Sequence, residues 1–411
     1  MNDRHPEAPS EGIGGSSSPR PPRILLRSSW QTANIGDIAH TPGILALLEK
    51  WVPDAEVTLW ASALGPGPAV RNMLRDRFPE LRILNDPPEA EEAAGAIADN
   101  DFFLHSSGPR LMGAPELRRW RETGKPYGVY GITFWDSDEA TMELLNGAEF
   151  VYFRDSVSLN KAVFELGLDA PVVGFTPDAA FATDVLDDEA AAAFLEENGL
   201  EEGKFLCCLG RWRYTPWWEM YPRPMTDHDR KVQAYNEHMV DGDHAPLRAA
   251  IEEVVRHTDL KVLLCPEDRS QVKVLREQVH AKLPEDVRGR VMLRDTFWLT
   301  NEALSVYTRS AGLFSNEMHS PIMAIGRGIP AIVCRWSEQT SKGFMWRDIG
   351  LGAWLFDLDY EESRSGIAPA VLKMAQDHEG ARAKAAAARD TVQRRHEETM
   401  KLLADLLRHR Q

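Results

Sequence analysis

Cysteine is scarce in this chain: Cys207, Cys208, Cys265 and Cys334 are the only four in 411 residues, and no two stand as C-x-x-C. Each lies in an apolar, strand-like run, which excludes a disulfide framework or thiolate metal site and predicts reduced core thiols in a cytoplasmic protein. Long apolar runs are lacking too. Nothing approaches the ~18 residues of a membrane span, and the N-terminal stretch has no signal-peptide core. Positive charge is in the minority, 47 Lys and Arg against 63 Asp and Glu, so 47 − 63 = −16. That balance excludes a general nucleic-acid or anionic-membrane binder, and any anionic substrate must be held by a local cationic pocket. His, Asp and Glu show no ligand spacing along the chain, so no metal and no cofactor is expected.

The hydrophobic content, 43%, is enough for sizeable cores, and the length points to two domains plus tails. Met1 to Pro22 is rich in Pro, Gly, Ser and charge and reads as a disordered tail. From Arg23 onward short apolar runs alternate with helical patterns. Strands are expected at Arg23 to Arg27, Glu56 to Trp60, Leu81 to Leu84, Asp101 to His105, Tyr127 to Tyr130, Phe150 to Phe153 and Val172 to Gly174. Helices are expected between them, among others at Pro42 to Trp51, Ser137 to Asn146 and Ser156 to Leu166. A second alternating series follows an acidic linker (186–203), with strands at Lys204 to Leu209, Lys261 to Cys265, Val291 to Leu293, Gly312 to Ser315 and Ala331 to Cys334. The pattern predicts an α/β protein with two doubly wound, Rossmann-like domains, 23–185 and 204–375, facing a cleft. The aromatic, proline-broken segment 211–243 reads as a lid or acceptor-binding insertion, and 376–411 as a C-terminal helix.

The most informative stretch is Ala311 to Cys334, a strand, a polar loop, a short helix and a second strand. Ser320-Pro321 has the pattern of an N-cap with proline at the first helical position, and Gly328 is placed to end the helix. His319 and Glu317 therefore sit at the carboxyl end of a strand, beside a helix N-terminus suited to an anion. His319 is the leading candidate for an acid, a base or an anion contact.

Other strand ends add candidates. In the first loop Asn34, Gly36 and Asp37 precede a helix expected to be capped at Thr41-Pro42; Gly36 permits close approach, and Asp37 can accept a proton or hold a sugar hydroxyl. Ser107 and Gly108 offer small polar contacts for a phosphate or sugar, or a plain tight turn. Arg211 and Arg213 can clamp a carboxylate or phosphate, with Trp212, Tyr214, Trp217 and Trp218 to stack on a sugar, or can pack as a surface pair. Arg154-Asp155 and Thr176-Pro177-Asp178 read more simply as a cap with its salt bridge and as a domain exit. Arg335 and Lys342 add positive charge or are solvated surface.

Taken in order, these motifs resemble the polysaccharide pyruvyl transferase family. NIGDIAHTPGILALL is similar to its Gly-Asp loop and helix, YFRDSVSLNKAVFELG to its Arg-Asp, Ser and Leu-Gly segment, FTPDAAFA to its Pro-Asp element, and SNEMHSPIMAIGRGIPAIV to its Ser-x-Arg-Leu-His segment. Two departures are visible: Glu317 stands where the family has arginine, and Ser106-Ser107-Gly108 replaces a glycine-rich segment. The resemblance implies a fold like that of the GT-B glycosyltransferases. It also implies transfer of pyruvate from phosphoenolpyruvate, as donor substrate, to a sugar or glycan acceptor as a cyclic ketal. His319 would be the general acid, Asp37 a base toward the acceptor, and Arg211 and Arg213 the anion clamps, with Asn34, Gly36, Ser107, Gly108, Glu317 and Ser320 around the substrates. A nucleotide-sugar glycosyltransferase, with Glu317 on the sugar or ribose and diphosphate at Ser320, is the alternative of the same architecture. A non-catalytic glycan-binding or assembly protein is the third.

Overall fold

The computed structural model describes residues 20–28, 31–61, 68–135 and 138–409. The expected tail therefore lies, through residue 19, outside the described residues, as do Ser29 and Trp30 of the first loop and Ser137 of the helix expected there.

Seven strands in these residues form one parallel sheet: β1 (Arg23–Arg27), β2 (Glu56–Trp60), β3 (Arg82–Leu84), β4 (Phe102–His105), β5 (Tyr127–Ile132), β6 (Phe150–Phe153) and β7 (Val173–Phe175). Their order is β3-β2-β1-β4-β5-β6-β7. A second parallel sheet contains β8 (Phe205–Leu209), β9 (Lys261–Leu264), β10 (Val291–Leu293), β11 (Gly312–Ser315), β12 (Ala331–Arg335) and β13 (Leu355–Asp357), in the order β10-β9-β8-β11-β12-β13. Runs such as Phe205-Leu-Cys-Cys-Leu209 are buried at every position, as strands covered by helices on both faces must be. The four cysteines are free and buried there. Each sheet reverses its order beside its first strand, which opens a crevice at the carboxyl ends. The short β13 is not among the expected strands. Its three residues are half-buried at the sheet edge and give too brief a periodicity to read.

The first helix, α1 (Ile35–Trp51), begins well before the Thr41-Pro42 cap the sequence suggested. Asn34 is the cap, its side-chain oxygen accepting from the amides of Gly36 and Asp37 at 2.8 and 3.0 Å. Pro42 lies inside the helix. An interior proline costs roughly 3 kcal/mol in an isolated helix, but α1 is buried almost all round between the two sheets, and that burial holds it. The 211–243 segment also differs from expectation. Only its first part is loop, with a single turn at Trp217–Met220; from Asp227 it is the start of a 31-residue helix, Asp227–His257, opened by a Thr226/Asp229 capping box.

The last helix, His378–Arg408, runs across both halves. Ala381, Ala385, Ala388 and Val392 pack into the second core, and Met400, Leu403 and Leu407 into the first. Near its middle, buried His396 bonds the Pro177 carbonyl at 3.2 Å. Glycine sets the seam between the halves. A Cβ at Gly326 would lie 1.9 Å from the Phe181 carbonyl oxygen, a backbone atom that cannot swing aside.

Two stability predictions follow from this packing. Gly326→Ala overpacks the seam and is expected to lower unfolding free energy by about 1–3 kcal/mol in a denaturant titration. Burial also holds the imidazoles of His244 and His396 down to about 4. The unfolded chain, titrating near ~6.5, binds more protons, so this stability is complete above pH ~6.5 and is lost as pH falls toward 4, at up to about 1.4 kcal/mol per pH unit for each residue. Melting temperatures between pH 7 and 4.5 should show the fall, and His396→Gln, whose amide can replace the bond to Pro177, should make it shallower.

Candidate active site

The polar side chains of the crevice come from the carboxyl ends of strands in both sheets, among them β1, β6, β8, β9, β11 and β12. The N-terminus of α1 presents Asp37 and His40 one turn apart on the same face. The seat for this turn is the other sheet: Ile35 donates its N–H to the Glu267 carbonyl at 2.9 Å, Asn34 bridges to Asp268, and Thr300 bonds the Ile35 carbonyl at 2.8 Å. Gly36 lies against His319, and a Cβ there would approach the His319 Cβ to 2.2 Å.

His40 is fully buried. Its Nδ1 lies 2.8 Å from an Asp178 carboxylate oxygen and 2.8 Å from the Ser107 hydroxyl. The other Asp178 oxygen accepts from Arg154 at 2.6 Å, and the Arg154 Nε donates to Thr133 at 2.6 Å. Asp178 is held well below the usual carboxylate range because His40 and Arg154 outweigh the cost of its burial. The His40 ring meets the His319 ring edge-on, centroids 4.9 Å apart at 85°.

His319 begins the helix His319–Gly326, with Met318, not Ser320, at the cap position. Its Nε2 lies 3.4 Å from the Lys342 Nζ; its Nδ1 is 3.4 Å from a Glu267 oxygen and 3.9 Å from Asp37. Burial, then the charges of Lys342 and His40, hold this imidazole well below its ordinary value. Burial by itself would raise the Asp37 carboxyl. The charges of His319, His40 and Lys342, with a hydrogen bond from Gln31, reverse that and lower it. Lys342 is lowered by burial and by Arg154. Among the described residues no carboxylate ion-pairs with it.

The opposite wall is acidic. Glu317 accepts from Arg211 at 3.0 Å and from Gln271 at 2.6 Å, and burial foremost, with the nearby Glu267 charge, pushes it up to about 7 against the influence of Arg211. Burial and the Glu317 charge raise Asp268 to about 6. The walls enclose a cleft of about 210 Å³, lined among others by Asn34, Asp37, Arg154, Arg211, Trp217 and Lys342. A larger groove, about 800 Å³, lies at the amino-terminal edge of the first sheet. Its arginines are already neutralised, Arg77 by Glu49 and Asp184 and Arg23 by Glu56, so it offers no chemistry comparable to the cleft.

The structure brings together His319, Asp37, Asn34, Arg211 and Glu317 on the cleft wall, with Gly36 behind them against His319. Ser320 and Ser107 are buried supports instead. Ser320 donates N–H and hydroxyl to Glu267 at 2.7 and 2.8 Å, and Ser107 meets His40. Gly108 belongs to a backbone bridge with Ile132 and does not line the cleft. Arg213 corrects the clamp expectation: it points away from the cleft, is buried, bonds Asp243 through two nitrogens at 2.9 Å, pairs with Glu338 and Asp359, and lies over the Trp336 ring. The segment is too aromatic and charged for spacing to say which arginine turns inward.

Arg154, Asp178, His40, Glu267 and Lys342 carry more of the site than their sequence settings suggest. Arg154 and Asp178 read as cap and linker, and His40 is one of many helical residues. A signal was available for His40, its i, i+3 offset from Asp37, once the helix start is placed at Asn34. The chain shows no metal-type spacing, yet donor atoms of Asp37, His40 and His319 lie within 4.8 Å of one another.

Arg213→Ala is expected to leave Asp243 buried and unpaired, costing roughly 3–5 kcal/mol in a denaturation experiment while leaving ligand affinity of the cleft unchanged wherever the variant is folded.

Solved structures with the same architecture include HepE from Anabaena in complex with UDP (TM-score 0.56, 13% identity, 94% of this chain and 100% of that one). UDP-GlcNAc 2-epimerase from Methanocaldococcus jannaschii (0.54, 12%, 85% and 92%) and UGT71G1 from Medicago truncatula complexed with UDP-glucose (0.53, 11%, 94% and 98%) are also similar. At these identities the likeness concerns the fold, which is GT-B-like. No curated protein matches the chain in sequence. The polysaccharide pyruvyl transferase profile matches residues 67–338. That span takes in the Arg154, Asp178, Glu267 and His319 elements of the cleft, and the chain belongs to the polysaccharide pyruvyl transferase family.

Proposed function

We propose that this transferase moves pyruvate from phosphoenolpyruvate onto two hydroxyls of a sugar, in a cell-surface polysaccharide or its precursor, as a ketal. The observation that carries the reading is Lys342, a cation without a carboxylate partner among the described residues, 3.4 Å from the Nε2 of His319. A cation so placed suits an anion bound beside an imidazole. Arg154 and Arg211 add positive charge to the same cleft, and Arg211, just past β8, supplies a cation near the position where Glu317 reverses the family's arginine. The cleft of about 210 Å³ equals roughly seven water volumes at ~30 Å³ each, room for a small donor, with the acceptor reaching in past Trp217 at the mouth.

In this reading Lys342, Arg154 and Arg211 hold the phosphate and carboxylate of the donor. His319 gives a proton to the methylene carbon, which becomes methyl, and C2 becomes electrophilic. One acceptor hydroxyl adds to C2, giving up its proton to Asp37. The second hydroxyl then forms the other C–O bond as the C–O bond to phosphate breaks. Of the two hydroxyl protons, one replaces that spent on the methylene and the other leaves with phosphate, so atoms and charge balance. The anionic donor stabilises the imidazolium that the step requires, which a buried histidine beside Lys342 otherwise resists.

Two variants test the reading. Lys342→Met should abolish the thermal shift that phosphoenolpyruvate gives the wild type, about 2.7 kcal/mol at roughly 100 Kd. His319→Ala should keep the shift but lose about 10²-fold or more in phosphate release with a sugar acceptor. A shift with a uridine or guanosine diphosphate sugar and none with phosphoenolpyruvate would replace this reading by glycosyl transfer, with Glu317 on the sugar.

A further inference from the structure

Among the buried polar atoms at the cleft that have no hydrogen-bond partner are Nε2 of His40 and Oε1 of Glu267, with Oε1 of Gln31 beside them. His40 and Glu267 are fully buried. The His40 tautomer follows from its surroundings. Nδ1 faces the Asp178 carboxylate at 2.8 Å, and Asp178 is paired with Arg154, so Nδ1 carries the proton and Nε2 presents a lone pair. That lone pair looks at another acceptor, the Oδ1 of Asp37, 3.9 Å away. The same Asp37 oxygen is 3.9 Å from Nδ1 of His319, which in turn is 3.4 Å from the orphaned Glu267 oxygen. Nε2 of His40, Oδ1 of Asp37, Nδ1 of His319 and Oε1 of Glu267 thus converge. Around them stand five carboxylates, Asp37, Asp178, Glu267, Asp268 and Glu317, against three cations, Arg154, Arg211 and Lys342.

We propose that Asp37, His40 and His319, with Glu267 as fourth donor, bind one divalent transition-metal ion, zinc or an ion of similar preference. Two imidazoles and two carboxylates are a donor set that suits zinc, and ligand atoms about 2.0–2.1 Å from a tetrahedral ion stand roughly 3.4 Å apart. Three of the six donor pairs stand 3.4 to 3.9 Å apart, and the donor atoms of Asp37, His40 and His319 all lie within 4.8 Å of one another, so side-chain rotation must draw them in to reach that figure. The outer contacts are those that orient metal ligands: Asp178 fixes the His40 ring, Ser320 holds the second Glu267 oxygen through two bonds, and Gln31 holds the second Asp37 oxygen. The site also fixes the His319 tautomer. With Nδ1 on the ion, the ring proton stays on Nε2, the nitrogen that faces Lys342. With Nδ1 on the ion the ring cannot become the imidazolium that the transfer step requires, so the metal-bound ring and His319 acting as the acid are separate states of the site, and metal binding is tested apart from transfer.

The test is metal binding by the full chain, independent of any transfer activity. The protein is stripped with a chelator and titrated with Zn²⁺ in a calorimeter, and its metal content after desalting is measured. In parallel Co²⁺ is added and its visible absorption recorded. The expected result is one equivalent of Zn²⁺ and intense visible bands of four-coordinate Co²⁺, with His40→Gln and Asp37→Asn each weakening the affinity at least tenfold. His244→Gln, buried outside the cleft, should bind as the wild type does. If His40→Gln does not fold, Asp37→Asn, whose side chain is partly exposed, carries the comparison. Binding well below one equivalent in the wild type overturns the proposal. Affinity unchanged in Asp37→Asn overturns it equally, by placing any bound ion elsewhere.

Discussion

The N-terminal turn of α1 sits directly on the second sheet's loops, and the rest of the site depends on that contact. One residue makes it possible at the closest point: Gly36 brings backbone where any side chain would strike His319. The Ile35 amide, which a helix start leaves without an internal partner, is satisfied by the Glu267 carbonyl of the other half. A single turn therefore closes the seam, fixes the rotation of α1 and aims Asp37 and His40 at residues more than two hundred positions later. Separating the halves would break the seam bonds and dismantle the cleft together.

The electrostatics follow from that closure. Taking so many charges from water is affordable only where each has a counterpart or an awaited ligand. Asp178 resolves part of the problem by serving Arg154 and His40 at once. Glu317 resolves another part through Arg211 and Gln271, so the reversal from the family's arginine does not leave a bare carboxylate in the wall. Lys342 and the orphaned atoms of His40 and Glu267 remain, the first fitted to an anion and the others to a cation. A site that keeps both kinds of unmet demand side by side is organised for ligands of both signs.

Much of the architecture was legible in the sequence, because parallel strands buried on two faces are short apolar runs and the helices between them are amphipathic. The strand ends Arg23, Glu56, Phe150, Val291 and Gly312 were readable for that reason. The site was legible only where a polar residue interrupts such a run, as at His319 and Glu317. It was obscure where one role hides another. Thr41-Pro42 has the form of a helix start, but tertiary burial overrides the proline and the true cap is Asn34. Arg211 and Arg213 are chemically equivalent in the chain, and only the partners contributed by the Asp227–His257 helix and the loop after β12 decide that Arg213 turns inward to the fold and Arg211 to the cleft. Convergence of Asp37, His40, Glu267 and His319 cannot be read from spacing, since it requires two sheets to face each other.

The C-terminal helix explains why that facing arrangement can be held to the precision the chemistry needs. Thirty-one residues at 1.5 Å each span about 46 Å, enough to reach from one core to the other. Its two apolar stretches are buried in different cores, so displacing one half against the other would pull one stretch from its pocket, at ~0.8 kcal/mol per exposed methylene. The polar crossing point falls beside the site. His396 bonds the Pro177 carbonyl, and Thr399 meets Tyr130 at 2.9 Å, next in space to the segment that presents Asp178. The residue that orients His40 and Arg154 is thus braced from behind by the element that ties the two halves together. The geometry of the cleft therefore depends on the helix that ties the two halves together.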